Sequence, residues 1–164
     1  MLPRQSESME NTIEEVKKLA NELGFKQTAL NEFKTGKLFK AENKDVGLIF
    51  QSTSTDKLHE EQVAVSKKIA DYNQAEEFGR MLEQAYRNDK NSKLLYVIAR
   101  PKGDPEAVAK LENPKIYGDR PQVEKAYAGK YYWEVYVCLG PKIDEASFEN
   151  FKQIVRDLIS IANT

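Results

Sequence analysis

The sequence predicts a single α+β domain: a mostly antiparallel sheet of about five strands with N-terminal, central and C-terminal helices packed on it. Three features lead to this class. Apolar residues recur at helical spacing near both ends, strand-length apolar runs fill the middle, and 164 residues suit one core rather than two. A chain of this size buries roughly two-thirds of its unfolded surface, so it needs neither disulfide nor metal to hold it. The expected order over 11–164 is α-β-β-β-α-β-(helical insertion)-β-α, with a disordered tail over 1–10 and the insertion at about 100–130.

The first helix is expected to start near Thr12, capped by its hydroxyl with Glu15 reciprocating. Ile13, Val16, Leu19, Ala20 and Leu23 form its apolar stripe, and Gly24 suits a left-handed terminus. Lys37 to Lys40 and Val46 to Gln51 flank a polar turn and read as a hairpin. Ser52 to Asp56 reads as a loop. In Gln62 to Ala70, alternation of Val63 and Val65 with polar residues favours a third strand over a helix.

Asn73 is expected to cap a second helix with Glu76, burying Phe78, Met81, Leu82, Ala85 and Tyr86. Leu94 to Ala99 is apolar on both faces, which predicts a central strand. Asp104-Pro105-Glu106 opens a short helix in the insertion, and a bend over Tyr117 to Pro121 leads to a second, ending at Gly129. Tyr131 to Leu139 alternates, with Trp133, Val135, Val137 and Leu139 on one face. After Gly140-Pro141, Asp144 is placed to cap the last helix, whose stripe is Phe148, Phe151, Ile154, Val155, Leu158, Ile159 and Ala162.

The 25 basic and 26 acidic side chains nearly cancel, so bulk charge gives no argument for nucleic acid or an anionic membrane. The longest apolar runs are strand-sized and far too short to span a bilayer. The single cysteine, the missing N-glycosylation sequon and the lack of an apolar leader favour a cytoplasmic setting. Nucleophilic catalysis needs a base beside the nucleophile, yet the one histidine, His59, lies in a charged run and the one cysteine, Cys138, in an apolar strand. One of each also falls short of the usual zinc ligand sets, and neither a calcium loop nor a phosphate-cradling glycine loop is present. No cofactor is expected. Metal-dependent phosphodiester chemistry needs only carboxylates, and the element order is similar to the start of a nuclease-type core with Asp45 as its first acid. The strand after Asp45 ends in Gln51-Ser52-Thr53, where that chemistry wants a second acid followed by lysine.

The segment from Arg100 to Lys130 stands out, because connections of this length in a compact domain are uncommon and often functional. It concentrates aromatic and basic residues, and Tyr117, Arg120, Lys125, Tyr127, Lys130, Tyr131 and Tyr132 are its candidate binding residues. Tyrosine and arginine combine large rigid area with a polar tip, which suits a protein interface, and the same mixture can stack a nucleotide and neutralise its phosphates. Lys34, Lys37, Lys40 and Lys44 form a smaller basic hairpin, expected to protect an exposed sheet edge from aggregation.

The element order is similar to that of small secretion-chaperone-like domains, which hold partner segments on a sheet and commonly dimerise; the insertion departs from that pattern. Three functions follow as expectations. The first is a non-catalytic module (chaperone, immunity or inhibitor type) binding another protein through the insertion, with a homodimer as a further option. The second is a receptor for a nucleotide-like ligand on the same residues, and the third a divalent-metal phosphodiesterase at Asp45.

Overall fold

The computed structural model describes residues 11–113, 115 and 118–161. In chain order the elements are α1 (Thr12–Glu22), β1 (Lys26–Phe33), β2 (Gly36–Asn43), β3 (Val46–Ser54), β4 (His59–Ile69), α2 (Tyr72–Arg87), β5 (Leu94–Gly103), α3 (Pro105–Glu112), α4 (Arg120–Ala126), β6 (Tyr131–Leu139) and α5 (Glu145–Ser160). The strands form one six-stranded sheet in the order β1-β2-β3-β4-β6-β5, and every neighbouring pair is antiparallel. The α+β class and the element order stand as the sequence predicts, with β1 as an additional strand. The expected tail at 1–10 lies outside the described residues, as do Tyr117 and Ala162.

Period-two alternation explains the core. Leu48 and Phe50 of β3, Val63 and Val65 of β4, and Val135, Val137 and Leu139 of β6 all point to one face. They meet Val16 and Leu19 of α1 and Phe151, Ile154 and Leu158 of α5, and each of these side chains is at most 1% exposed. Burial of one such side chain stabilises by about 1.5–3 kcal/mol. Asp144 caps α5 as expected: its carboxylate accepts from Ser147 N at 2.8 Å, and Ser147 Oγ accepts from Asp144 N at 3.0 Å. Gly24 takes the left-handed conformation after α1 with φ 76°.

Several details differ from the sequence reading. Asn11, not Thr12, occupies the N-cap of α1; Thr12 is buried and donates to Glu61 Oε1 at 2.8 Å, so its hydroxyl ties α1 to β4. Asp71, not Asn73, precedes α2, and no side-chain cap bond forms there. The α2 stripe is rotated: Ala75 and Leu82 are buried, while Met81 and Ala85 are exposed. Gly79 faces the sheet, where a Cβ would meet Val97 at 3.7 Å and Val135 at 3.8 Å in ordinary contact.

Leu94 to Ala99 is not central. It belongs to β5 at the sheet edge, where Val97 and Ala99 face the helices and Tyr96 and Ile98 are exposed. The lysine hairpin is corrected too. The edge strand is β1, so Lys37 and Lys40 lie on an interior strand and are not edge guards.

Candidate functional site

The insertion begins later than its composition suggests, because β5 runs on to Gly103 and places Arg100 in the sheet. At Gly103 the chain leaves the sheet with φ 121°, and a Cβ there would lie 2.6 Å from Lys130 O. Only glycine fits this close approach. Asp104 then caps α3, the helix expected to start here, by accepting from Ala107 N at 3.1 Å.

Three of the candidate side chains, Arg120, Tyr127 and Tyr131, are engaged within the fold. The Arg120 guanidinium stacks on the Tyr72 ring at 3.6 Å and pairs with Glu124, whose other oxygen accepts from Tyr131 Oη at 2.9 Å. Burial and that acceptor push the Tyr131 phenol up to about 12. Lys110 Nζ donates to Tyr127 Oη at 2.8 Å, joining α3 to α4. Arg120, Tyr127 and Tyr131 therefore fasten the insertion to itself and to α2. Lys125 and Lys130 are exposed. Tyr132 points to the opposite sheet face, where Lys68 Nζ lies 5.1 Å from its ring centre.

An open hollow lies on that opposite face, which the described helices leave uncovered. A cleft of about 640 Å³ runs across the sheet from β1 and β2 to β5. Its floor is made by the strand residues that alternate with the core: Leu38, Ile49, Ala64, Tyr136 and Cys138. Small side chains at Ala64 and Cys138 on the central strands, between larger neighbours, make the hollow. Tyr96 and Phe33 stand at opposite sides, 41% and 66% exposed. Lys40 on one side and Arg100 and Lys102 on the other supply positive charge, and no Asp or Glu lines the cleft. None of the insertion residues named above lines it either.

Burial pushes the Cys138 thiol up, so it stays protonated at neutral pH and makes a poor nucleophile. Its Sγ lies 3.7 Å from Gln62 Oε1. Burial also raises the Tyr136 phenol, helped by its hydrogen bond to Glu134, and raises Tyr96 beside Cys138. Elsewhere, Asp45 holds Lys67 Nζ at 2.7 Å, an ion pair that fixes the β2–β3 turn to β4. Among the described residues no three His, Cys, Asp or Glu side chains converge as a metal site would require, and no helix is long and apolar enough to cross a membrane.

No family model matches the chain, and comparison with curated proteins and with solved structures gives no significant match. The likeness to secretion-chaperone-like domains thus rests on element order alone.

Proposed function

We propose that the protein is a non-catalytic module of chaperone, immunity or inhibitor type that occupies another protein through the open face of its sheet. One observation carries this reading: a broad cleft with an apolar floor and cationic sides on the sheet face that none of the described helices covers. Exposed apolar surface rimmed by polar groups marks interaction sites and ligand-binding grooves. The insertion serves as a brace for the sheet edge, since Arg120, Tyr127 and Tyr131 are already engaged within the fold. The single buried cysteine keeps a cytoplasmic setting part of the reading.

Affinity capture tests it with three proteins: the wild type, the groove variant Phe33→Ala/Tyr96→Ala, and the insertion variant Lys125→Ala/Lys130→Ala. The expected result is a stoichiometric partner held by the wild type and the insertion variant and lost from the groove variant, with all three melting alike. A partner lost only from the insertion variant moves the interface to α4 and rejects the groove.

A further inference from the structure

We infer that the groove cradles an amphipathic α-helix of a partner protein, its apolar stripe on the floor and its flanks acidic. This rests on reading the groove as the interaction surface. Charge is the first argument. Lys40 on β2 and Arg100 and Lys102 on β5 form no ion pair among the described residues, whereas Lys17, Lys67, Lys93 and Arg120 all do. The acid nearest in register is Glu134, opposite both Arg100 and Lys68 on the same face but outside the cleft lining and in no ion pair among the described residues. Glu42, Glu60 and Glu134 share the open face but do not line the cleft, so the cleft itself presents unpaired cations, which favour an acidic partner and repel a basic one.

Spacing is the second argument. The cations sit on β2 and β5, with β3, β4 and β6 between them. Four inter-strand steps of about 4.8 Å place the two cationic sides about 19 Å apart. A helix about 10–12 Å across fits between them with Glu or Asp reaching both sides, whereas a single extended strand reaches only one. The floor is the third argument. A platform for nucleic acid bases needs open aromatic faces at its centre. Here the central strands offer Ile49, Ala64 and Cys138, and the β6 ring of Tyr136 already has Lys102 Nζ at 5.6 Å from its centre. A row of aliphatic and small side chains suits a Leu- or Ile-bearing helix.

The test uses the full chain, isotope-labelled, titrated with stapled helical peptides of roughly 16 residues, about 24 Å long. One carries a Leu stripe flanked by Glu, a second the same stripe flanked by Lys, and a third the Glu sequence interrupted by proline; oligothymidylate is the fourth probe. The expected result is that only the Glu-flanked helix shifts the amides of Ile49, Ala64 and Cys138. Lys40→Glu/Lys102→Glu should weaken it about tenfold or more and admit the Lys-flanked helix, with the melting temperature unchanged. Equal binding of the Lys-flanked or proline-interrupted peptide overturns the inference. So does preferential binding of oligothymidylate, concentration-dependent shifts from self-association through the groove, or no shift with any probe. The capture experiment separates the two levels. If capture depends on Phe33 and Tyr96 while these peptides fail, the groove reading stands and the acidic helix falls; if capture survives their loss, both fall.

Discussion

The two faces of β6 are built from alternate residues of one strand, yet they do different work. Trp133, Val135, Val137 and Leu139 face the helices and are nearly inaccessible, whereas Tyr132, Glu134, Tyr136 and Cys138 lie on the open face, the last two lining the groove. The same division runs through β3, with Leu48 and Phe50 on the packed side and Ile49 and Gln51 on the open one. The packed face is mostly apolar, with its buried Glu61 and Lys67 held by Thr12 and Asp45, because an unpartnered polar group there costs about 1–3 kcal/mol. The open face mixes aliphatic, aromatic, cationic and acidic side chains, which intramolecular packing does not demand. The comparison teaches that stability and recognition can be separated by side-chain parity, and it can be tested by changing one face at a time.

The largest effect is expected on the packed face. Phe151→Ala removes a fully buried ring from α5 and should cost about 3–5 kcal/mol, read from the shift in urea midpoint. A loss near 1 kcal/mol would mean that α5 is less tightly seated than its burial implies. Next comes the brace at the sheet edge. Arg120→Ala removes both the Tyr72 stack and the Glu124 pair and should cost about 1–2 kcal/mol. Amide exchange should quicken in α3 and α4 while α5 stays protected; uniform quickening would contradict a local role.

Asp144→Ala should cost about 1 kcal/mol at neutral pH through loss of the α5 cap. Burial alone would raise the Asp144 carboxyl, but Lys93, at 2.7 Å, and Ser147 outweigh it and hold the carboxyl below its ordinary range. A depressed folded value stabilises above the unfolded one, so the contribution is present at neutral pH and is lost as pH falls through the folded value. The gap between variant and wild type should therefore shrink in acid; a gap constant from neutral to acid pH would contradict this account. The smallest stability effect belongs to the open face: Tyr96→Ala should stay within about 0.5 kcal/mol of wild type by urea denaturation, because its side chain is largely outside the core.

How much of this was legible in the sequence follows from the same division. The packed face announces itself, since Phe148, Phe151, Ile154, Val155 and Leu158 repeat at helical spacing and Asp144 stands where a cap belongs. Strand β1 gave no such signal. Seven of its eight residues are exposed, so no alternation marks Lys26–Phe33, and only pairing with β2 defines it. The two-sided apolar run of β5 suggested a central position because Tyr96 and Ile98 look like core until the strand order puts them beside an open groove.

The groove itself was out of reach for a related reason. Lys40, Ile49, Ala64, Cys138 and Arg100 come from five strands, and only the order β2-β3-β4-β6-β5 makes them neighbours. A trace existed in the alternation of Arg100 and Lys102 with Ala99 and Pro101, which sets two cations on the face opposite the core. The insertion drew notice instead because its aromatic and basic residues are contiguous. Contiguity did not reveal that Arg120 and Tyr131 share Glu124 as their partner.

The most direct test of the central claim is a map of amide shifts in the labelled protein on addition of its captured partner. The account predicts changes centred on Ile49, Ala64, Tyr96, Arg100 and Cys138, with Lys125 and Lys130 unaffected. Changes confined to α3 and α4, with the open face silent, would contradict it.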